Sequence, residues 1–92
     1  MTTPNGAIAR RVARARAGED PELLARMPSG YAILARYQPP PVRGACMLLP
    51  HEVVSSPNDL APDERARFFG DLVLLGDAIL EATGAERINY LV

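Results

Sequence analysis

The chain contains no lysine, and all ten of its basic residues are arginine. Fourteen alanines accompany them, a combination that indicates a GC-rich coding sequence rather than a function. The single cysteine, Cys46, excludes an internal disulfide and fits a reducing compartment. No apolar run approaches the ~20 residues of a membrane span, and the N-terminus has no apolar signal-peptide core. We therefore expect a cytoplasmic protein without a membrane partner.

Several motifs of catalytic and nucleotide-binding proteins are also missing. The sequence has no P-loop, no G-x-G-x-x-G and no G-x-S-x-G. Its only histidine, His51, has no second imidazole or thiolate nearby in sequence to complete a metal site. We expect His51 to be a solvated loop residue and Cys46 to be a small, buried apolar residue. The residue types alone therefore predict no catalytic set, no metal and no cofactor.

The size and charge of the chain set further bounds. Ninety-two residues are enough for one domain, which we take as residues 1–92. Residues 1–43 carry a net charge of +4 and residues 44–92 carry −5. This asymmetry fits either a basic arm for nucleic acid or a helix whose solvated face is rich in arginine. We favour the second, because no aromatic residue lies among the arginines to stack on bases.

Two short helices are predicted near the N-terminus. In residues 7–17 the apolar positions recur on one side, which predicts a helix that Gly18 ends. Residues 20–22 read Asp-Pro-Glu, an order typical of a helix start, with a cap, a proline and an acid in the first turn. Residues 20–27 therefore predict a second helix, and residues 28–30 (Pro-Ser-Gly) break it.

Two strands are predicted in the middle of the chain. Residues 31–36 and 44–49 are apolar and short, and both have the length of a strand. Residues 38–43 between them include three consecutive prolines, so they predict a stiff connection. This short link favours an antiparallel pair. Residues 51–60 follow as a polar loop.

The longest predicted element is a helix over residues 62–83 that Gly84 ends. Its apolar side consists of Phe68, Phe69, Leu72, Leu75, Ile79 and Leu80. Its opposite, polar side is marked by Arg67, Asp71, Asp77 and Glu81. Leu74 lies on the polar side between the small residues Gly70 and Ala78. It is either an isolated exposed leucine or part of a surface for a second subunit.

Residues 86–92 predict a final strand, because they alternate and are rich in β-branched and aromatic residues. On such a strand Asn89 faces away from Ile88 and Tyr90. The order of elements predicts an α+β fold, with a small and mostly antiparallel sheet covered by one long helix. Because a domain rarely ends on a bare apolar strand, we expect the fold to lack its final strands and the chain to be an amino-terminal portion.

Three blocks of the sequence, taken together and in order, resemble the histidine triad (HIT) superfamily. The resemblance is to its bacterial diadenosine tetraphosphate hydrolase-like members, and it spans nearly the whole chain beyond residue 8. The first block is residues 29–34, the second is 44–50 with 58–60, and the third comprises 75–80, 83–85 and 87–90. The resemblance implies a two-fold homodimer with a continuous sheet, and a nucleotide or dinucleoside polyphosphate as ligand.

The chemistry that the resemblance implies is attack of a histidine on the α-phosphate of a nucleotide. That histidine belongs to a His-x-His-x-His-like segment that follows the family's asparagine, which matches Asn89. The nucleophile would therefore lie beyond Val92, and this sequence does not contain it. His51 does not match the other histidine position of the family, so no catalytic role is carried over to it.

The resemblance also implies nucleotide-binding residues. They are Asn89, together with Ile33 or Leu34 and Leu48 on the pocket side of the sheet, whose apolar side chains suit a base. Relatives often have an acidic residue near the end of the first strand to bind the ribose. Residues 37–38 match that region and contain no acid.

Two hypotheses follow. In the first, the chain is the amino-terminal portion of a HIT-type nucleotide hydrolase or nucleotidyl transferase that lacks the catalytic segment and is inactive alone. In the second, it is a noncatalytic nucleotide-binding or dimerisation module. The apolar end of the last predicted strand favours the first hypothesis.

Overall fold

The computed structural model describes residues 6–36, 38 and 44–91. Its elements are helix α1 (Ala7–Arg16), strands β1 (Leu23–Met27), β2 (Gly30–Leu34) and β3 (Cys46–Pro50), a 3-10 turn (Pro57–Asp59) and helix α2 (Pro62–Thr83). The three strands form one antiparallel sheet in the order β1-β2-β3. The predicted α+β class and the antiparallel pairing of the two central strands are therefore confirmed.

Strand β1 occupies the place of the second predicted helix, and that prediction was wrong. β1 and β2 form a tight hairpin in which Met27 lies opposite Gly30 across a two-residue turn. The Asp-Pro-Glu sequence before β1 favours the start of a helix only locally, whereas pairing with β2 supplies a ladder of hydrogen bonds between strands. Tertiary pairing commonly overrides helix propensities of less than about 1 kcal/mol per residue. The Pro-Ser-Gly sequence is thus the turn of a hairpin.

Pairing between β2 and β3 assigns side chains to the two faces of the sheet. Ile33 lies opposite Met47, and Ala32 lies opposite Leu48. Paired residues share a face and successive residues alternate. Ile33 and Leu48 therefore lie on opposite faces, each in its own apolar cluster.

Helix α1 covers the first face. Its bounds agree with the helix predicted over residues 7–17 to within one residue, and Val12 and Ala15 are the residues that it buries. They contact Tyr31, Ile33 and Leu49 of the sheet. Because α1 covers one face and α2 lies against the other, the predicted architecture of one covering helix was incomplete.

The backbones of β2 and β3 approach closely at Gly30, which pairs with Pro50. A Cβ atom at this position would overlap the carbonyl oxygen of Leu49. Only glycine fits here without a shift of the neighbouring backbone.

Helix α2 covers the second face and has the predicted bounds. It ends at Gly84, whose φ of 68° is the left-handed conformation that glycine adopts at low cost. Phe68 is buried with Leu48 and Leu60, the centre of the second cluster. Burial of a side chain of this size contributes about 1.5–3 kcal/mol. No helix in the described part of the chain is long and apolar enough to cross a bilayer.

The predicted polar side of α2 was wrong at one residue, Asp71. Only 8% of Asp71 is exposed, and its Oδ2 accepts the backbone N–H of Ser29 at 2.9 Å. The turn between β1 and β2 leaves this N–H without a ladder partner, and a buried donor requires an acceptor. Leu74 is 58% exposed, as its position on the polar side predicts.

Residues 86–91 are not a strand, so that prediction was wrong for every residue of it except Val92, which lies outside the described residues. The segment turns back along α2, and the Tyr90 hydroxyl lies where a Cβ of Gly76 would be. Within the described sheet, β3 is hydrogen-bonded only to β2. A sequence of high β-propensity forms a strand only when its backbone has a partner, and here the segment contacts the helix instead.

The predicted stiff connection lies outside the described residues except for Gln38. The side-chain amide of Gln38 donates to the carbonyl oxygens of Ala35 and Ala45, at 2.6 and 2.7 Å. Its Oε1 accepts the N–H of Gly44 at 2.7 Å. These three bonds join the chain on both sides of the connection. They also occupy both the NH2 group and the oxygen of the Gln38 side-chain amide.

Candidate functional site

A large groove lies between β3 and α2, and the C-terminal segment 85–91 borders it. Its volume is about 1270 Å³. Most of the wall is apolar and comes from Leu48, Leu60, Phe68, Leu72, Leu75 and Ile79. Ligand sites for small molecules typically enclose about 300–1000 Å³ and are mostly apolar with few polar groups. The groove has this mostly apolar character, and its volume exceeds the typical range.

The polar groups of the groove lie mainly on its rim. Ser56 and Thr83 are already engaged, since Ser56 Oγ accepts the N–H of Asn58 and Thr83 Oγ1 donates to the carbonyl of Ile79. Arg87 and Asn89 also line the groove, on the C-terminal segment. Both are exposed and able to donate hydrogen bonds to a ligand.

The four predicted nucleotide-binding residues do not form one group. Leu48 and Asn89 both line the groove, one from β3 and the other from the C-terminal segment. Leu34 pairs with Cys46 and shares the face of Leu48, but it lies outside the groove wall. Ile33 is on the other face and is completely buried in the cluster beneath α1. Of the alternatives Ile33 and Leu34, only Leu34 is on the groove side of the sheet.

Cys46 begins β3 and also lines the groove. It is half-buried, its Sγ donates to the carbonyl of Gly44 at 3.3 Å, and burial raises the pKa of its thiol. A raised pKa leaves little thiolate at neutral pH, and the thiolate is the reactive form. Cys46 is thus an unreactive residue of the groove wall at neutral pH, and it is less buried than we expected.

His51 does not line the groove but a small hollow of about 220 Å³, which shares Pro50, Leu60 and Phe68 with the groove wall. Its ring meets Tyr31 edge to face at 4.9 Å, and its Nε2 is 3.2 Å from the carbonyl oxygen of Pro28. The residue is exposed, as a loop histidine should be, but these contacts orient the ring. Glu52 and Arg67 also border the hollow. No group of metal ligands occurs among the described residues.

Sequence reasoning missed a buried ion-pair cluster at the start of β1. Arg11 of α1 donates from Nε to Asp20 at 3.3 Å and from Nη2 to Glu22 at 2.9 Å. Burial of Asp20 alone would raise its pKa, but the N–H of Glu22 and the Arg11 guanidinium outweigh burial and lower it. The arginine-rich face of α1 is therefore partly used within the chain. An acid nine residues after an arginine is too weak a signal to reveal this pair.

Comparisons with family models, with curated proteins and with solved structures gave no match to this chain. The resemblance to the HIT superfamily therefore remains a prediction from the sequence. The feature that bears on function is the groove, where a wall of apolar side chains meets polar groups of the C-terminal segment, among them Arg87 and Asn89.

Proposed function

We propose that the groove between β3 and α2 binds a nucleotide, and that the chain is a nucleotide-binding domain of the HIT type. The observation that carries the proposal is the pairing of an apolar wall with Arg87 and Asn89 on one rim. A nucleotide has two parts that match these two surfaces: its planar, weakly polar base suits the apolar wall, and its anionic phosphate suits the donors on the rim.

The wall of the groove supplies the surface for a base. Leu48 and Phe68 belong to the buried cluster beneath α2, and Leu72 and Leu75 pack against it. These side chains are held by the sheet and the helix, so the surface is largely formed before a ligand arrives. A preformed apolar site lowers the entropic cost of binding.

The volume of the groove supports a ligand larger than one base. About 1270 Å³ leaves room for a second nucleoside or for a chain of phosphates. A dinucleoside polyphosphate, the ligand that the resemblance implies, is a substrate of this size.

Hydrolysis or nucleotidyl transfer by the HIT route needs a histidine nucleophile beside the phosphate. His51 is the only histidine of the sequence, and it does not line the groove. The proposed function of these 92 residues is therefore binding, and the nucleophile of a HIT enzyme would have to come from a segment that this sequence does not contain.

The proposal is tested by calorimetric titration of the 92-residue protein with AMP and with diadenosine tetraphosphate. Replacement of Cys46 by Trp fills the groove from β3, and we expect it to weaken binding of both ligands by tenfold or more, ~1.4 kcal/mol. The matched control is Leu24→Trp, at an exposed position on β1. Equal binding by the two variants, both folded by circular dichroism, would contradict the proposal.

A second candidate is a noncatalytic dimerisation module, and the outer surface of α2 favours it. Val73 and Leu74 are 53% and 58% exposed, and Phe69 is exposed beside them. Neighbouring exposed apolar residues are a common feature of protein interfaces. Sedimentation of the wild type and of Leu74→Glu tests this candidate. A dimer that the substitution dissociates supports it, and a wild-type monomer at all concentrations removes it.

A further inference from the structure

The groove has an uneven charge. Arg87 is the only charged side chain among the described residues that line it, and no acid of the described chain reaches its wall. The groove therefore has a formal charge of +1 on an otherwise apolar surface. A cation beside low-dielectric walls attracts an anion more strongly than the same cation in open water.

Arg87 also differs from most other arginines in its partners. Arg11 and Arg36 form ion pairs with acids, and Arg16 and Arg65 donate to backbone carbonyls. No ion pair or hydrogen bond joins Arg87 to any other residue in the part of the chain that the structure describes. Its guanidinium is thus available to a ligand without the loss of an internal bond.

The geometry of a guanidinium suits one class of anion. Its planar set of N–H donors matches two oxygens of a phosphate or carboxylate, and such bidentate bonds are among the strongest in proteins. Asn89, two residues further along the same segment, adds an amide donor on the same rim.

We propose that Arg87 is the phosphate-binding residue of the groove, and that this contact makes the groove select a nucleotide over a free nucleoside. This inference rests on the proposed function and adds the residue that recognises the phosphate. Arg87 binds two phosphate oxygens at the rim while the base lies against the apolar wall.

A purely structural role for Arg87 is the competing explanation. It lies three residues after Gly84, and helix α2 has no basic residue in its last turn to balance the partial negative charge there. In that case the loss of Arg87 would lower the melting temperature and would weaken nucleosides and nucleotides equally.

The test compares adenosine with AMP. In calorimetric titrations we expect the wild type to bind AMP at least tenfold more tightly than adenosine. Arg87→Gln should weaken AMP about tenfold and leave adenosine unchanged. Arg87→Lys keeps the positive charge but loses the paired N–H donors of the guanidinium. Its affinity for AMP should therefore lie between those of the wild type and Arg87→Gln. The matched control is Arg14→Gln, at an exposed position of α1 on the other side of the sheet.

The outcomes separate the two proposals. Equal affinities of the wild type for adenosine and AMP would overturn the inference and leave nucleotide binding standing. An unchanged affinity of Arg87→Gln for AMP would also overturn the inference without affecting the proposal of nucleotide binding. Absence of binding by both ligands would overturn the inference and the proposed function together.

Discussion

The backbone N–H of Ser29 donates to Oδ2 of Asp71 at 2.9 Å, across forty-two positions of sequence. This bond joins the turn between β1 and β2 to the middle of α2. Together with the packing of Phe68 against Leu48, it helps to hold the long helix over the sheet, and the groove lies between α2 and β3. The contact is therefore structural, yet it supports one wall of the candidate site.

Replacement of Asp71 by Ala should destabilise the fold by about 1.5–3 kcal/mol, the usual net value of a hydrogen bond to a charged group. The N–H of Ser29 would lose its acceptor in a half-buried position. Urea denaturation measures the change, and Asp77→Ala, on the exposed side of the same helix, is the control. Equal stability of the two variants would show that the bond contributes nothing.

The stability of the fold should fall in acid partly because of Asp20. Its pKa is lower in the folded chain than the usual 3.8, so the folded state resists protonation more than the unfolded state does. The stabilising contribution is complete above about pH 4 and is lost as the pH falls through the folded pKa.

The measurement for Asp20 is the free energy of unfolding from pH 7 to pH 2 for the wild type and for Asp20→Asn. We expect the variant to be less stable at neutral pH and the difference to shrink below pH 4. A difference that stays constant over the whole range would rule out Asp20 as a source of the pH dependence.

The 92-residue chain should not hydrolyse diadenosine tetraphosphate. Formation of a phosphoramidate needs an imidazole positioned at the phosphate, and His51 lies outside the groove with its Nε2 next to the carbonyl of Pro28. The assay follows release of ATP and AMP from the purified protein. Turnover that disappears in His51→Ala would make the histidine hollow, and not the groove, the active site.

Cys46 offers a chemical probe of groove occupancy. Because burial raises the pKa of its thiol, alkylation by iodoacetamide should be slow at pH 7 and should accelerate toward pH 9.5. A saturating nucleotide should slow the reaction several-fold at either pH, because the thiol lies in the groove wall. The same reaction in Arg87→Gln, where AMP binds weakly, is the control. Alkylation at equal rates with and without AMP in the wild type would place the ligand elsewhere.

The parts of the fold that the sequence predicts well are those whose signals are local. Helix α2 begins at a proline, carries acids in its first turn and ends at Gly84, and its bounds agree with the prediction. The pairing of β2 with β3 follows from two short apolar runs and a brief link. These features depend on periodicity and on residues with special backbone preferences.

The parts that the sequence does not predict depend on distant partners. β1 has the local signal of a helix and becomes a strand because β2 pairs with it. The segment 86–91 has the composition of a strand and lies on α2 because no backbone partner stands beside it in the described sheet. Leu48 and Asn89 meet at one groove, while Ile33 is separated from them by the sheet itself. A choice between faces needs the register, which a single sequence does not contain.

The close approach at Gly30 fixes which residues of β2 and β3 face each other. A slip of two residues would keep every side chain on its own face, so apolar patterning alone does not oppose it. Such a slip would bring Ala32 opposite Pro50, and its methyl group would overlap the carbonyl oxygen of Leu49. The absence of a side chain at position 30 therefore favours the observed register over this slip. It penalises the nearest misfolded sheet, in which Leu48 would no longer occupy its place in the groove wall.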